Sequence, residues 1–368
     1  MKIGINLIQY TDVQGIEVFA KNLLLSLTRQ GASHEFIFFV NQESAKIFNI
    51  KADNVKIVVK NFKKLSKLNL ISYQQFGLIR DLKKEKINLL YCPSTAAPIF
   101  YKNKIITIHD CASLRFKDEA GLISGLYLKL IYFSAKYFSL KVITVSNFAK
   151  QEIISLLKIP PEKIVVIFEG APFLIGVDEK KSALALRKFE LINKKYFFYV
   201  GNLRPRKNIP KLLETWAYFI SLHKDYFLVI AGKNNKQIDE APYLKDNVIF
   251  TGVISEEEKT VLYKNSLSLV FPSLYEGFGL PVLEAQSLGI PVITSDISSL
   301  PEVAGDGAIF VDPCDYKSIS LGLEKIVNSS FLKTELISAG YQNLARFSWD
   351  KSALLLLAFI NNSEKYDF

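Results

Sequence analysis

The sequence has few cysteines and no long apolar stretch. Its 368 residues include three cysteines, Cys92, Cys111 and Cys314, which are odd in number, widely spaced and form no zinc-type pattern. They favour a reducing compartment. No stretch of about 18 uninterrupted apolar residues is present, so we predict no membrane-spanning helix. Met1 leads directly into an apolar segment without the basic region and cleavage site of a signal peptide, so we expect a cytoplasmic protein.

Positive charge is in excess, and one half of the sequence carries it. The formal net charge is +10. Residues 1–170 contain 24 Lys and Arg against 13 Asp and Glu, a net of +11, whereas residues 171–368 contain 22 against 23, a net of −1. An excess confined to the first half indicates an acidic partner there, either nucleic acid or an anionic membrane surface. A solubilising surface is the alternative interpretation.

Short apolar segments alternate with longer amphipathic segments along the chain. With 49% hydrophobic and 22% charged residues, the composition is that of a folded protein, and its length exceeds that of a usual single domain. Seven strand candidates, from KIGINLI to KIVVIF, precede six more, from YFFYVG to AIFVDP. This alternation predicts two doubly wound α/β domains with a boundary near residues 171–195. Ligands are then expected at the carboxyl ends of the strands, in the cleft between the domains.

The segment YVGNLRPRKNIPKLLETWAYF (residues 199–219) contains a strand end, a basic loop and a helix start. Gly201 ends the strand, and we expect the helix to begin near Ile209. The unpaired N–H groups and the dipole of a helix start attract an anion. Arg206 and Lys207 add full positive charges at that point, so they can bind a diphosphate. Basic side chains that are simply solvated in a turn are the alternative.

Two glutamates flank a second candidate site in the segment EGFGLPVLE (residues 276–284). Pro281 suits the first position of a helix, because its missing N–H is not needed there, and Gly289 would end that helix. Glu276 then lies in the preceding loop and Glu284 one turn inside the helix. One acid could hold a sugar hydroxyl, the other a ribose, and the backbone N–H groups of Gly-Phe-Gly a phosphate. The alternative is a turn with two solvated acids.

These segments carry a resemblance to a known family. The block EGFGLPVLEAQSLGIPVITSDISSLPEVAGDGAIFVDP, with FYVGNLRPRKN, VIFTG and VITVSNFAKQEI, resembles the retaining, two-Rossmann-domain (GT-B) glycosyltransferases of family 4, mannosyltransferases among them. QGIEVFAKNLL and IITIHDCASLRF extend the similarity into the first half. The resemblance implies a GT-B fold with two Rossmann-like domains that face a deep cleft. Residues 1–170 would bind the acceptor and residues 171–349 the donor, and a C-terminal helix (350–368) would cross back to the first domain.

The resemblance also implies roles for individual residues. Glu276 would contact hydroxyls of the donor sugar, and Glu284 would contact the ribose of its nucleotide. Arg206 and Lys207 would neutralise the diphosphate, and His109 would lie near the donor sugar. The catalytic residues implied are Glu276, Lys207, Arg206 and His109. The donor-binding residues implied are Gly15, Gly201, Arg206, Lys207, Val253, Glu276, Gly277, Phe278, Gly279, Leu280 and Glu284.

Some positions of the first half fit the family less directly. Many relatives carry two glycines in the loop after the first strand, whereas this chain has Gln14 before Gly15. Nothing in the sequence next to His109 makes it a base, so a structural strand-end histidine is the alternative for that residue. Ser146 and Asn147, in VSNFAK, are expected to cap a helix rather than to take part in chemistry.

The reaction implied by the resemblance is a sugar transfer with retention at the anomeric carbon. A hexose, expected to be mannose from GDP-mannose, would pass to a saccharide acceptor, expected to be lipid-linked, in the synthesis of cell-surface polysaccharide or O-antigen. The departing phosphate would accept the proton of the acceptor hydroxyl, and the loop cations and helix N–H groups would stabilise that phosphate. No Asp-X-Asp sequence accompanies these motifs, so we expect no metal and no cofactor.

Two segments of the first half mix basic and apolar side chains. Residues 61–86 and 121–141 interleave Lys and Arg with aromatic and aliphatic residues. Such segments can lie at a membrane interface, with their cations on anionic headgroups. We therefore expect peripheral association with the inner face of the cytoplasmic membrane, unless both segments serve only the domain core. Nucleic acid is disfavoured as a partner, because no nucleic-acid-binding module accompanies the charge.

Two other functions compete with sugar transfer. A nucleotide-sugar epimerase can share the two-domain architecture, but it needs carboxylate and histidine acid–base groups around the sugar ring, and the EGFGLPVLE pattern argues against it. A non-catalytic nucleotide-sugar-binding subunit is the third hypothesis, and the intact set of Glu276, Glu284, Arg206 and Lys207 argues against that. Incubation of the protein with a panel of donors and lipid-linked acceptors separates the three.

Overall fold

The chain folds into two units. The computed structural model describes residues 1–10, 15–62, 66–116, 122–172, 176–234 and 238–363. The first unit contains Met1–Gly170 and Phe347–Phe368, and the second contains Ala171–Arg346. The return to the first unit therefore falls at Phe347, whereas the sequence placed it at residue 350. Of the positions discussed above, Gln14 and residues 63–65, 121 and 364–368 lie outside the described residues.

The first unit is built on a sheet of seven parallel strands. The strands are β1 (Lys2–Asn6), β2 (Glu35–Asn41), β3 (Val55–Lys60), β4 (Leu89–Cys92), β5 (Lys104–Thr107), β6 (Lys141–Thr144) and β7 (Ile164–Val166). Their order across the sheet is β3-β2-β1-β4-β5-β6-β7. The helices are α1 (Gly15–Gln30), α2 (Gln42–Ile47), α3 (Lys67–Ser72), α4 (Leu78–Lys84), α5 (Ala112–Arg115), α6 (Leu122–Phe138) and α7 (Asn147–Leu157), and a π-helical turn (Tyr73–Gly77) joins α3 to α4.

The second unit repeats the same scheme with six parallel strands. They are β8 (Lys195–Val200), β9 (Tyr226–Ala231), β10 (Val248–Gly252), β11 (Ser268–Phe271), β12 (Val292–Ser295) and β13 (Ile309–Val311), in the order β10-β9-β8-β11-β12-β13. Its helices are α8 (Glu179–Lys188), α9 (Ile209–Leu222), α10 (Glu256–Lys264), α11 (Leu280–Ser287), α12 (Leu300–Ala304), α13 (Tyr316–Asn328) and α14 (Ser330–Leu344). The last helix of the chain, α15 (Trp349–Ser363), belongs to the first unit.

The apolar segments of the sequence account for these sheets. Each of the thirteen strand candidates overlaps one of the thirteen strands, so the prediction of two doubly wound domains is confirmed. The strands next to the centre of each sheet, such as β4 (LLYC) and β11 (SLVF), are buried at every position. Parallel strands covered by helices on both faces require such unbroken apolar runs, which is why they stand out in the sequence.

Each sheet has a point at which its strand order reverses direction. In the first unit this switch point lies between β1 and β4, and in the second unit it lies between β8 and β11. The loops that leave the carboxyl ends of these two strands diverge, and the crevice between them is the usual ligand site of doubly wound folds. The loops that matter most in the second unit are therefore the ones that follow Val200 and Phe271.

The last helix packs against the first one. Ser26 Oγ, on α1, donates to Asp350 Oδ1 at 2.7 Å, and Arg29 forms an ion pair with the same carboxylate. Farther along, His34 Nε2 lies 2.8 Å from Asn361 Oδ1. These contacts bind α15 to the first unit, as the resemblance implied for the C-terminal helix.

The chain leaves the first unit after Gly170 and returns to it at Phe347, and these two places lie next to each other within the first unit. The rings of Phe168 and Phe347 are 5.6 Å apart, and Ser352 Oγ donates to the carbonyl of Phe168 at 2.6 Å. A Cβ placed on Gly170 would lie 2.5 Å from the indole of Trp349, so only glycine fits there. The point where the chain leaves the first unit thus packs on the point where it returns.

Charge divides unequally between the units. The segments of the first unit contain 26 Lys and Arg against 16 Asp and Glu, a net of +10, whereas the second unit contains 20 of each. The first unit therefore accounts for the whole net charge of the chain. Within the described parts of the chain, we find no helix with the length and apolar character needed to cross a membrane.

Candidate active site

Two loops of the second unit meet at the switch point of its sheet. The loop after β8 carries Arg206 and Lys207 in a short 3-10 turn, and the loop after β11 carries Glu276. The N–H of Leu274 donates to the carbonyl of Arg206 at 2.8 Å and joins the two loops. The fold thus brings together the basic pair and the first glutamate, which are about seventy residues apart in the sequence.

Lys207 and Glu276 form a buried ion pair. Lys207 Nζ donates to Glu276 Oε1 at 2.5 Å, and the two side chains are 12% and 8% exposed. Arg206 approaches the other oxygen of the same carboxylate, with its Nη1 3.6 Å from Glu276 Oε2. The ring of Phe271 lies 5.0 Å from Lys207 Nζ, at a cation–π distance. Two cations thus lie beside one carboxylate at this point of the loop pair.

The backbone around the basic loop explains its shape. Asn208 is left-handed (φ +62°), and its side-chain Nδ2 donates to the carbonyls of Pro272 and Pro313 at 3.0 and 2.7 Å. Asparagine tolerates this conformation, and α9 starts at the next residue, Ile209, as predicted. The site is therefore held at a sharp turn between the basic loop and α9.

Glycines let the ends of β8 and β9 approach each other. Gly201, one of the predicted donor-binding residues, has φ +148°, and Gly232 has φ +150°. A Cβ on Gly232 would lie 1.9 Å from the carbonyl oxygen of Gly201. A side chain at Gly232 cannot be accommodated there, so this close approach fixes the position from which the basic loop departs.

The EGFGLPVLE segment folds as predicted apart from one position. Helix α11 begins at Leu280, so Pro281 is its second residue rather than its first. Proline is accommodated at either position, because the N–H groups of the whole first turn lack partners within the helix. Gly279 precedes the helix with φ +122°, a value that strains other residues, and Gly289 follows the helix end with φ +68°.

Glu284 is part of a network that the sequence did not predict. Lys259 Nζ donates to Glu284 Oε1 at 2.8 Å, and the Tyr263 hydroxyl donates to Oε2 at 3.0 Å. Burial lowers the pKa of Lys259, but the carboxylates of Glu284 and Glu256 more than reverse this and leave it raised. Burial and the Glu284 carboxylate raise the pKa of Tyr263. Glu284 is thus not a freely solvated acid, and a ribose hydroxyl would join an existing network.

A serine holds the loop that contains Glu276. Ser299 Oγ lies 3.0 Å from the carbonyl oxygen of Glu276 and 2.6 Å from that of Phe278, and it is fully buried. Sequence reasoning missed this residue, as it missed the contacts of Lys259 and Tyr263. No local pattern identifies them, because each acts on a segment that is distant in the sequence. Asn208 could have been found, since asparagine after a short turn often adopts a left-handed conformation.

His109 lies in the first unit, after β5. Its Nε2 is 3.0 Å from the carbonyl oxygen of Pro93, and the ring of Phe19 packs edge-on against it with centroids 4.7 Å apart. A carbonyl can only accept, so Nε2 carries the hydrogen and Nδ1 is the acceptor of the neutral ring. Burial lowers the pKa of His109, which the Pro93 hydrogen bond only partly opposes. At neutral pH the imidazole is therefore uncharged and can accept a hydrogen bond at Nδ1.

Three other predicted residues lie at the ends of helices or strands. Gly15 is the first residue of α1, and a Cβ placed on it would meet nothing within 4 Å. Val253 follows β10 and is 75% exposed. Ser146 caps α7 by accepting from the N–H of Ala149 at 3.0 Å, which confirms its predicted capping role. Among the residues that the structure describes, no three His, Cys, Asp or Glu side chains are arranged to hold a metal ion.

Two family models cover most of the chain. Residues 184–343 match the model of the glycosyl transferases group 1, and residues 13–172 match the model of glycosyltransferase family 4. The matches fall on the second and the first unit respectively. The chain belongs to glycosyltransferase family 4. The resemblance inferred from the sequence motifs is thereby confirmed.

Several characterised proteins are similar to this transferase. It is 29% identical over 291 residues to O-antigen chain mannosyltransferase B of Escherichia coli. The aligned region covers 75% of this chain and 74% of the relative. It is 28% identical over 308 residues to the O-antigen chain mannosyltransferase RfbU of Salmonella typhimurium. The aligned region covers 80% of both chains.

Solved structures share the fold of the transferase. WaaG, a glycosyltransferase involved in lipopolysaccharide biosynthesis, superposes with a TM-score of 0.71 at 14% identity and covers 96% of this chain and 98% of its own. The sucrose-phosphate synthase of Thermosynechococcus elongatus superposes with a TM-score of 0.76 at 16% identity and covers both chains fully. The fold is thus GT-B, with two Rossmann-like domains.

Proposed function

We propose that this protein is a retaining, metal-independent glycosyltransferase that transfers a hexose from a nucleoside-diphosphate sugar to a saccharide acceptor. The best-supported donor is GDP-mannose, and the best-supported acceptor is a lipid-linked saccharide of O-antigen or another cell-surface polysaccharide. The observation that carries the proposal is the buried cluster of Arg206, Lys207 and Glu276 at the switch point of the second sheet. This cluster combines charges for a diphosphate with a carboxylate for sugar hydroxyls.

The charges of this cluster suit a diphosphate leaving group. When the bond between the anomeric carbon and the phosphate oxygen breaks, negative charge develops on the diphosphate and positive charge on the sugar. Arg206 and Lys207 are buried at fixed positions, so they stabilise the developing negative charge without reorganisation. Donor binding would draw Lys207 from Glu276 to the phosphate and free the carboxylate for sugar hydroxyls.

The proposed reaction needs no protein nucleophile. The acceptor oxygen forms a bond to the anomeric carbon on the face that the diphosphate leaves, and the departing phosphate oxygen takes the acceptor proton. This path retains the configuration of the sugar, and atoms and charge balance without a further reactant. Arg206 and Lys207 supply the positive charge that a divalent cation would otherwise provide, which is why we propose that no metal is needed.

The names of relatives support mannose but do not exclude glucose. The two O-antigen chain proteins named above are mannosyltransferases. A structural neighbour at 15% identity, Anabaena HepE, has been solved in complex with UDP-glucose. Thermal-shift titration with GDP, UDP, ADP and dTDP tests the base, and we expect GDP to raise the melting temperature most. A larger shift with UDP would contradict the GDP-mannose assignment.

The transfer itself is tested with the purified protein, GDP-mannose and extracted lipid-linked saccharides. We expect an α-mannosylated product, with its configuration read from the anomeric proton by NMR, and unchanged activity after treatment with EDTA. Inversion at the anomeric carbon would contradict the retaining mechanism. Loss of activity in EDTA would contradict the metal independence. Release of an epimerised sugar nucleotide would identify an epimerase. Tight GDP binding without turnover on any acceptor would identify a non-catalytic binding subunit.

A surface of the first unit supports peripheral membrane association. Helix α6 has an exposed apolar face formed by Leu126, Leu130, Phe133 and Tyr137, with exposed Lys129 beside it. Its opposite side is buried in the core of the unit, so the helix serves both the core and the surface. An apolar helix face edged by cations is suited to an anionic lipid surface. We propose that this face, with the exposed Phe76 and Phe100, contacts the inner leaflet of the cytoplasmic membrane.

The aromatic part of this surface is firmly attached to the core. The buried Lys104 donates its Nζ hydrogens to the carbonyls of Ile99, Tyr101 and Phe138 at 3.1, 2.5 and 3.3 Å. This ties the loop that carries Phe100 to the end of α6. Flotation with vesicles that contain anionic lipid tests the association. Absence of binding at low salt would contradict it.

A further inference from the structure

A few buried side-chain oxygens of the first unit make no hydrogen bond. Within the described residues these are Gln9 Oε1, Tyr10 OH, Thr144 Oγ1 and Glu169 Oε2. Every one of them lies at the last residue of a strand or within four residues after it, on β1, β6 or β7. All four therefore belong to the carboxyl edge of the first sheet. An unpaired buried polar group is costly, because it has lost its hydrogen bonds to water, so native proteins keep few of them.

The second unit has the same arrangement. Its buried oxygens without a hydrogen bond, among the described residues, are Tyr199 OH, Ser273 Oγ, Ser298 Oγ and Ser320 Oγ. The first three lie at the carboxyl ends of β8, β11 and β12, and only Ser320, on α13, lies elsewhere. This edge is the one that carries the Lys207–Glu276 pair. Unpaired oxygens thus collect where a doubly wound sheet meets its ligand, and the first sheet has such an edge of its own.

Burial without a hydrogen bond is least favourable for Glu169 among these residues, because its side chain is an ionisable carboxyl group. Its residue is 5% exposed, so it is buried but not sealed from solvent. The backbone on both sides is fixed by the start of α15: Ser352 Oγ donates to the carbonyl of Phe168, and Gly170 packs against the Trp349 indole. The backbone at Glu169 is therefore fixed, and its Oε2 makes no hydrogen bond within the part of the chain that the structure describes.

Glu169 and His109 lie on the same edge of the sheet and are linked by aromatic rings. Phe19 packs edge-on against His109, with centroids 4.7 Å apart, and against Trp349, with centroids 6.0 Å apart. Trp349 in turn contacts Gly170, the neighbour of Glu169. His109 follows β5 and Glu169 follows β7, so both project from strand ends toward the same side of the sheet.

We propose that Glu169 is a positioning residue for the acceptor, whose carboxyl group hydrogen-bonds an uncharged hydroxyl of the acceptor saccharide at the carboxyl edge of the first sheet. The proposal rests on the proposed transferase function and adds a residue that the sequence motifs did not indicate. Both edges have unpaired oxygens, but the second edge also carries the cations of Arg206 and Lys207 for an anionic donor, whereas the first edge is suited to a neutral polyol.

The chemistry of the group fits a hydroxyl rather than a phosphate. Burial raises the pKa of Glu169 to about 8, so the carboxyl group is mostly protonated at neutral pH. A protonated carboxyl group donates one hydrogen bond and accepts others, as a sugar hydroxyl does. A phosphate would be repelled whenever this group ionised, whereas a sugar hydroxyl can pair with both the protonated and the ionised form. The ligand expected at this position is therefore the sugar of the acceptor and not its phosphate end.

The test compares substitutions at Glu169 with a control at the other end of the same strand. Glu169→Leu removes the hydrogen bonds, Glu169→Gln keeps the ability to donate and accept, and Glu162→Leu changes an exposed acid just before β7. The assay uses methyl α-D-mannopyranoside as acceptor, with GDP-mannose at saturation. We expect Glu169→Leu to raise the acceptor KM about tenfold or more, Glu169→Gln to raise it about threefold or less, and Glu162→Leu to leave it unchanged.

A structural role would give a different result. If Glu169 only supported the fold, Glu169→Leu would also weaken GDP binding or lower kcat with an unchanged acceptor KM, and either outcome overturns the proposal. Should the Leu variant fail to fold, the Gln variant is tested against the monodeoxy derivatives of methyl α-D-mannopyranoside. One derivative, which lacks the hydroxyl that Glu169 contacts, should be used equally well by wild type and variant. Equal losses with every derivative would overturn the proposal.

Binding without turnover separates this proposal from the proposed function. Saturation-transfer NMR detects methyl α-D-mannopyranoside on the GDP-bound protein, and we expect Glu169→Leu to abolish the signal. Absence of the signal from wild type with GDP bound would overturn the assignment of this edge to a saccharide. Absence of GDP binding to wild type would instead contradict the transferase function itself.

Discussion

The two units of this protein share one topology and differ in where they keep their charges. Both sheets are parallel and place their first strand beside their fourth. The second unit is neutral overall, and its switch point holds two cations around a buried carboxylate. The first unit carries the whole net charge of +10, yet the groups at the carboxyl edge of its sheet that lack a partner are oxygens. The scaffold thus fixes where a ligand binds, and the loops and surfaces fix which ligand.

The difference is sharpest for two buried glutamates. Glu276, in the second unit, has Lys207 at 2.5 Å and Arg206 at 3.6 Å. Glu169, in the first unit, has no hydrogen bond to its buried oxygen, and its pKa is raised by burial alone. One acid is therefore held as part of an ion pair and the other as an uncharged group. The following experiments test that contrast.

The largest effect is expected at Lys207. Lys207→Ala removes a fixed cation from the diphosphate site, and we expect kcat to fall about 100-fold or more. It also removes the nearer of the two cations beside a buried carboxylate and leaves Arg206 at 3.6 Å, which should lower the free energy of unfolding by about 1–3 kcal/mol. Steady-state kinetics and urea denaturation measure the two effects. Lys21→Ala, an exposed lysine of the first unit, should leave both unchanged.

A double variant separates the two consequences of losing Lys207. Lys207→Ala combined with Glu276→Gln removes both charges of the closer pair, so part of the lost stability should return, whereas kcat should stay low. Recovery of activity together with stability would show that Lys207 acts on the fold only and would remove the proposed electrostatic role.

The next effect concerns pH and Glu169. The pKa of this group is about 8 in the folded state and 4.5 for the ordinary side chain, so between these values the folded protein holds a proton that the unfolded chain has released. Stability must therefore fall as pH rises from about 4.5 to about 8, by up to about 1.4 kcal/mol per pH unit. Glu169→Gln lacks this dependence, so its free energy of unfolding relative to wild type should increase across that range.

Urea denaturation at several pH values measures this difference. Glu162→Gln, in the exposed turn just before β7, serves as the matched control and should follow wild type throughout. A constant difference between Glu169→Gln and wild type from pH 5 to pH 8 would mean that the carboxyl group of Glu169 is ionised in the folded state.

A smaller effect is expected at the exposed aromatic residues. Phe133 lies on the apolar face of α6 in the first unit, and Phe331 is exposed on α14 in the second unit. Phe133→Glu should weaken binding to vesicles that contain phosphatidylglycerol about tenfold, whereas Phe331→Glu should leave it unchanged. Equal loss in both variants would mean that net charge alone drives the association.

The smallest effect is expected at Gly15. A Cβ at this position meets no protein atom within 4 Å, so Gly15→Ala should change the free energy of unfolding by less than about 0.5 kcal/mol. If substrate approaches the start of α1, as the resemblance implies, the added methyl group should still lower kcat/KM about threefold. Gly232→Ala is the contrasting variant, because it must distort the second sheet. Unchanged kcat/KM in Gly15→Ala would remove Gly15 from the binding site.

The sheets could be predicted from the sequence because buried parallel strands need unbroken apolar runs. KIITIH and LSLVFP, for example, each became a strand at the expected place. The basic loop and the paired glutamates were visible because glycine and proline mark the turns on which they stand. The start of α11 was misplaced by one residue, since proline suits the second helical position as well as the first.

The rest depends on contacts between distant segments. Nothing near Glu284 in the sequence indicates that Lys259 and Tyr263 bind its two oxygens. Glu169 stands in an ordinary strand-to-loop segment, and only the fold reveals that it is buried without a hydrogen bond to Oε2. Burial and pairing are properties of the packed chain, so a local pattern does not contain them.

The adjacent crossings between the units have a consequence for protein engineering. The second unit is one uninterrupted stretch, Ala171–Arg346, whose two junctions meet where Phe168 packs edge-on against Phe347 and Gly170 packs on Trp349. It is therefore connected like an insert within a host domain. Replacing this stretch with the matching segment of a relative should yield a chimaera with the host's acceptor preference and the guest's choice of sugar nucleotide.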